Sequence, residues 1–338
     1  MANRDIVAIG TSAGGVEALM YLAQRFRPDF PATVLVTIHL SSQFPSSLDE
    51  LLSRAGPLPA TFADDGARLR KGQIYLAPPN RHLLIEHDRV RLGSGPRENN
   101  ARPAIDPMLR SAAVCCCGRS IGVVLTGTLG DGASGLWAVQ QCGGMTVVQD
   151  PHGAAFPEMP QNALDRLRPD HVVALDRMPA LLDSLVHQSA GEPQPLPVGI
   201  RYEVDVARRG EGTMREMDRI GRRSVLSCPD CQGTMWEIDE GDLVRFRCHV
   251  GHTYIAELMS LALDESLRRA LASAQRALEE RVALARKLQH QASDRGQHHM
   301  ADTWGAKAGE YEAEMQVIRK SIRRMEAVAA REELSKTA

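Results

Sequence analysis

The sequence predicts an α/β fold: a doubly wound, mostly parallel sheet with helices on both faces, followed by a small zinc-ribbon-like segment and a C-terminal helical hairpin. Three observations carry that expectation. Short β-branched runs alternate with helical stretches over residues 1–190, the pattern of a parallel sheet covered by helices. Two pairs of Cys/His ligand types flank a hairpin-length stretch between residues 228 and 252. Apolar residues then recur at alternating spacings of four and three over residues 257–338.

Taken in order, Asp5–Ile9 reads as a buried strand, followed by Gly-Thr-Ser-Ala-Gly-Gly and a helix from about Val16 to Arg25. Thr33–His39 is a second buried strand. Gln73–Ala77, His82–Glu86 and Arg89–Leu92 are shorter, the last two a hairpin across His87-Asp88. Ile121–Thr126 is a third strong apolar strand, trailed by a glycine-rich loop and a helix near Gly135–Cys142. Met145–Gln149 and Val172–Leu175 complete the sheet. Residues 191–227 are rich in Pro, Gly, Arg and Glu with few apolar residues in phase, which reads as a linker. Residues 228–256 form the ribbon-like segment. Leu267, Leu271, Ala274, Leu278 and Val282 make one coiled-coil seam, and Trp304, Ala308, Tyr311, Met315 and Ile318 a second. Ser293-Asp294-Arg295-Gly296 separates them, so an antiparallel hairpin is the simplest arrangement.

Composition narrows the function. A net charge of −2 gives no bulk electrostatic reason to bind nucleic acid. No run of 18 or more apolar residues is present, so no membrane insertion is expected. The N-terminus enters an apolar strand without a signal-peptide layout. Seven cysteines, an odd number at uneven spacing, suit a reducing compartment, and a cytoplasmic location follows as the expectation.

Gly10-Thr11-Ser12-Ala13-Gly14 matches G-x-S-x-G between a strand and a helix. Such a turn lifts the serine hydroxyl above the strand ends, and flanking glycines remove Cβ clashes. The spacing fits neither a dinucleotide loop nor a Walker A loop, and no lysine follows. His39 ends the second strand and Asp131 lies in the loop after Ile121–Thr126, so three strand-end loops supply nucleophile, base and orienting carboxylate at the edge where open α/β sheets place their sites. Separately, His39 could be a capping histidine and Asp131 a turn residue; their coincidence at one edge favours the triad. The order Ser…His…Asp differs from ordinary α/β-hydrolases. Arg102 and Asp106 could border a substrate groove, with surface charge as the default.

The runs IGTSAGGVEAL, TIHL, IYLAPPNRHLLI, ARPAIDPMLRSAA, VLTGTLGDGASGL and VVQDPHGAAFPEMPQNAL together resemble the catalytic domain of CheB-type protein-glutamate methylesterases, in order and over nearly all of residues 1–190. The resemblance implies a triad of Ser12, His39 and Asp131 and oxyanion-hole amides at Ala13 and Thr128. It implies hydrolysis of glutamate γ-methyl esters on the cytoplasmic domain of a methylated chemoreceptor, releasing methanol, with glutamine deamidation as a side activity and no cofactor for catalysis. The first strand begins at Asp5, which suggests a stand-alone form without the receiver domain that many members carry, and places the usual phospho-aspartate control in doubt.

Cys228-Pro-Asp-Cys231 and, sixteen residues on, Cys248-His249-Val-Gly-His252 have zinc-ribbon spacing. Cys228, Cys231, Cys248 and His252 are the expected ligands of a structural Zn²⁺, with His249 as substitute for His252. Cys115-Cys116-Cys117 reads as buried small hydrophobes. The helical tail is a candidate for self-association or for docking a partner. Two other functional classes remain open at this stage: a non-catalytic receptor-binding scaffold, and an amidase or esterase acting on a small molecule.

Overall fold

The computed structural model describes residues 2–39, 46–210, 212–240 and 243–336. Leu40 of the TIHL motif lies outside them. The described residues divide into two compact units, 1–259 and 260–338.

The first unit is built on β1 (Ile6–Thr11), α1 (Gly15–Ala23), β2 (Thr33–Ile38), α2 (Leu48–Ala55), β3 (Ala60–Phe62) and β4 (Ile74–Leu76). A hairpin of β5 (His82–Glu86) and β6 (Arg89–Gly93) leads to α3 (Ile105–Cys116), β7 (Ser120–Val124) and α4 (Ala133–Gln141). β8 (Met145–Gln149), α5 (Glu158–Arg166), β9 (His171–Val173) and α6 (Met178–Val186) complete the layer structure. Seven strands form one sheet in the order β3-β4-β2-β1-β7-β8-β9, every neighbouring pair parallel.

All residues of β1 and β2 are buried, as strands covered on both faces must be. Alternation then divides them between two cores. Val7, Ile9, Val34 and Val36 pack with Leu19 and Leu22 of α1, Leu52 of α2 and Leu182 of α6. Ala8, Leu35 and Val124 face Ile105, Leu109 and Ala112 of α3, Leu136 of α4 and Met159 of α5. β1 lies between β2 and β7, so the chain order reverses across it, and the loops leaving β1, β2 and β7 open at the same carboxyl edge.

The stretch expected to be a linker is folded. It carries α7 (Val198–Arg209), α8 (Met214–Ile220) and the whole of β10 (Arg222–Ser227). Thr213 caps α8 through a reciprocal capping box with Glu216. β10 joins β11 (Thr234–Glu240), β12 (Leu243–Cys248) and β13 (Thr253–Ile255) in an antiparallel four-stranded sheet. Met217, Trp236 and Ile238 form one small apolar cluster on it, and Met235, Tyr254 and Ile255 are buried as well.

The helices α9 (Ala256–Asp294) and α10 (His298–Lys336) each run 39 residues. Within residues 260–338 they are antiparallel neighbours: Arg286 pairs with Glu312 at 3.0 Å and Arg319 with Glu279 at 3.0 Å. Ala285, Ala292, Ala301, Ala308 and Met315 are buried. Among the described residues no helix is long and apolar enough to cross a membrane.

Candidate active site

Ser12 sits in the turn from β1 to α1. Gly14, the residue before that helix, has φ 70°, which a side chain would strain. Gly10 has Ile105 so close that an added Cβ would lie 2.1 Å from its Cγ2. The turn is pinned from the β7 side: Ser12 N–H donates to the Thr126 carbonyl at 3.0 Å, and Thr126 Oγ1 donates to the Ala13 carbonyl at 3.1 Å. Gly127 follows, and a Cβ there would lie 2.9 Å from Ser12 Cβ. Ala13 and Thr128 thus belong to two loops that meet at Ser12.

His39 lies one residue past β2. Its Nδ1 is 3.1 Å from Ser12 Oγ and its Nε2 is 2.8 Å from Asp131 Oδ2. With the ring proton on Nε2, the imidazole donates to Asp131 and turns a lone pair toward the serine hydroxyl. Either assignment of the two nitrogens serves, provided one faces each partner.

Asp131 is fully buried, in the loop from β7 to α4. Besides His39, Oδ2 accepts from Ile105 N–H at 2.7 Å, while Oδ1 accepts from Asp106 N–H and from Asn99 Nδ2, each at 3.2 Å. Burial alone would push this carboxyl up; the His39 hydrogen bond and charge, with the Ile105 and Asp106 amides, outweigh it and hold the group at about 2. Asp131 is therefore an anion at neutral pH. Asp106 behaves oppositely, because burial and the negative Asp131 push its carboxyl well up.

Asp106 is not the surface charge its sequence context suggests. It is completely buried, and its Oδ1 accepts from Gly132 N–H at 3.0 Å and Gly135 N–H at 2.7 Å, tying α3 to the loop that carries Asp131. Arg102 is committed elsewhere, to Asn80 Oδ1 and the carbonyls of Ser94 and Gly95. Asn99 was invisible to pattern reading; its one local signal is the Asn99-Asn100 pair, both in the left-handed region that asparagine tolerates. Of the cysteine triplet, Cys116 is buried and the other two are half-buried.

Phe156 and Leu129 stand 43% and 38% exposed beside this site. The Phe156 ring would be 3.1 Å from a Cβ on Gly14, and its carbonyl accepts from Gly127 N–H.

The second constellation lies in the four-stranded sheet. Ligand atoms of Cys228, Cys231, Cys248 and His252 all fall within 4.8 Å of one another. His252 Nδ1 is 3.7 Å from Cys228 Sγ and 3.5 Å from Cys248 Sγ, and the Cys231 and Cys248 sulfurs are 3.7 Å apart. Tetrahedral zinc with ordinary bond lengths requires S–S edges of about 3.8 Å and S–N edges of about 3.6 Å, so the donor set fits that ion. His249 stays outside the group.

The CheB methylesterase family model matches residues 7–182, just over half of the chain. The chain belongs to the CheB methylesterase family. A putative protein-glutamate methylesterase/protein-glutamine glutaminase of Leptospira interrogans is 32% identical over 180 residues, 53% of this chain and 93% of that relative. A protein-glutamate methylesterase/protein-glutamine glutaminase of Xanthomonas oryzae pv. oryzae is 37% identical over 188 residues, and the match spans 52% of its length. The crystal structure of the Thermotoga maritima CheB methylesterase catalytic domain superposes with a TM-score of 0.52 at 30% identity, covering 55% of this chain and all of that one. In this CheB-family chain the matched residues are those of the seven-stranded sheet and its helices; the four-stranded sheet and the two long helices lie beyond them.

Proposed function

We propose that the chain is a protein-glutamate methylesterase acting on methylated chemoreceptors in the cytoplasm, with Ser12, His39 and Asp131 as its triad. The observation that carries this is the unbroken Ser12–His39–Asp131 hydrogen-bond line at the carboxyl edge of β1, β2 and β7. Ser12 Oγ attacks the ester carbonyl as His39 Nδ1 takes its proton. The imidazolium is stabilised by the Asp131 anion and returns the proton to the departing methoxide, giving methanol and a γ-glutamyl ester of Ser12. Water, deprotonated by His39, then releases the glutamate carboxylate and restores the serine. The Ala13 and Thr128 amides are the donors proposed for the oxyanion. A glutamine amide can enter the same sequence with ammonia as leaving group. The exposed Phe156 and Leu129 favour a protein substrate over a small molecule, because apolar side chains beside an open site suit a macromolecular surface.

Cys228, Cys231, Cys248 and His252 are proposed to hold a structural Zn²⁺, which would fasten the ends of β10 and β12. The four ligands leave no open coordination position, so the ion has no place in the ester chemistry.

Methanol release from receptor membranes carrying methylated glutamates tests the main reading. Wild type should release methanol, and Ser12→Ala should be slower by at least about 1000-fold. Equal release from both proteins would remove Ser12 from the mechanism.

A further inference from the structure

Outside the triad, one short turn, residues 98–101 between β6 and α3, carries a set of buried polar contacts. Asn99 is 4% exposed there, with φ 50°. Its Nδ2 donates to Asp131 Oδ1 and to Asp106 Oδ2, both at 3.2 Å. Its other side is gripped by the edge strand β13: Asn99 N–H donates to the Thr253 carbonyl at 2.8 Å, and Asn99 Oδ1 accepts from Ile255 N–H at 3.3 Å. Residues 253 and 255 flank the Phe246–Tyr254 pair, so their outward backbone groups are those an edge strand leaves free for another chain segment. Here that segment is the turn behind the triad.

Two more contacts fix the same joint. The carboxylate of the adjacent Glu98 bonds Arg110 of α3 and reaches Arg247 of β12 at 3.3 Å. The Ile255 side chain lies against Gly130, where an added Cβ would come within 2.6 Å of its Cδ1. The loop bearing Asp131 is thus touched by β13 both directly and through Asn99.

We propose that Asn99 is a positioning residue through which the four-stranded sheet sets the Asp131 carboxylate. Oδ1 of Asp131 has two donors, and one of them is an amide that β13 holds in place. Without it, the carboxylate keeps one 3.2 Å bond on that oxygen beside the Ile105 amide on Oδ2, and its orientation toward His39 Nε2 is held less tightly. The sheet beyond the family-matched residues is then part of the catalytic apparatus, although it contributes no reacting atom.

This rests on the triad reading, and the test separates the two. The full chain is assayed with p-nitrophenyl acetate, and the proton on His39 that bonds Asp131 is followed at low field by proton NMR. Ser12→Ala must first abolish turnover; if it does not, the triad reading itself fails and takes this one with it, whereas a dead Ser12→Ala beside unchanged Asn99 variants overturns this one alone. Asn99→Asp keeps the size and the acceptor for Ile255 but replaces the donor with an oxygen. Both Asn99→Asp and Asn99→Ala should lower kcat about 10- to 100-fold with KM within about twofold, and should shift the low-field proton. Ile255→Pro removes both contacts that β13 makes through this residue, the N–H on Asn99 Oδ1 and the side chain against Gly130. It should reproduce the change and combine less than additively with Asn99→Ala in the double variant. Folded Asn99 variants with wild-type kcat and an unmoved resonance would overturn the proposal. Full additivity of Ile255→Pro and Asn99→Ala would overturn the role of the sheet.

Discussion

Gly127 shows how little room Ser12, the proposed nucleophile, has. A methyl group there would meet Ser12 Cβ at 2.9 Å and the Met159 thioether at 2.7 Å. Met159 can bend aside; the serine turn, hydrogen-bonded on both sides, cannot. Gly127→Ala should therefore cost only about 1–2 kcal/mol of stability while lowering fluorophosphonate labelling of Ser12 at least about tenfold; a melt and a labelling time course check both numbers. That Ser12, His39 and Asp131 come together was legible because each side chain sits in a loop whose position the strand pattern fixes. Asp106 and Asn99 were not. Their roles come from burial against loops far away in sequence, and a carboxylate or amide carries no local mark of whether water or protein surrounds it.

Helix α7 makes the same point at the level of an element. Residues 191–227 look like a linker because they offer few apolar residues in phase, yet the inward-facing Glu203 of α7 is 2% exposed. Its carboxylate lies 2.9 Å from Arg245 and 3.2 Å from Arg110, with Arg247 at 3.8 Å, and Glu98 and Glu240 complete a buried set of three cations and three anions. The inward face of α7 mixes this carboxylate with buried Ile200, Val206 and Ala207, so its hydrophobic stripe is interrupted at the centre and reads weakly. Arg110→Met should destabilise the unit by about 3–5 kcal/mol, since it strands Glu98 and Glu203 with fewer partners; urea unfolding measures it. Burial would push the Glu203 carboxyl up, but Arg245, Arg110 and Arg247 overcome this and hold it at about 2, below its ordinary 4.5. The folded state thus binds this proton less readily than the unfolded chain. Its stabilisation is complete above the ordinary value and is lost as pH falls toward 2. Between pH 5 and 3 the urea midpoint of wild type should fall more steeply than that of Glu203→Gln.

Over the whole molecule, the two cores of the seven-stranded sheet and the helical pairing of residues 260–338 followed from hydrophobic period alone. Three-residue β3, joined to the sheet only through β4, was missed because so short a run has no period to detect. The four-stranded sheet differs in kind. A four-stranded sheet of such short strands has little apolar surface of its own to bury, so the Cys/His cluster is expected to supply much of its stability. One zinc per chain should be found by elemental analysis, and chelation should lower the melting temperature of wild type but not of a chain in which Cys228 and Cys231 are both serine.

The joint between Glu98 and Arg247 spans 149 positions of sequence. During synthesis the seven-stranded sheet is complete once α6 has emerged, whereas β13 appears roughly 70 residues later, which at ordinary elongation rates is about 4–14 s. Through that interval Asp131 lacks the strand that secures Asn99. A newborn chain should be folded but catalytically immature, acquiring its full reactivity late in translation. Ribosome-arrested chains exposing residues 1–200 should label slowly with fluorophosphonate, and those exposing residues 1–260 at the mature rate.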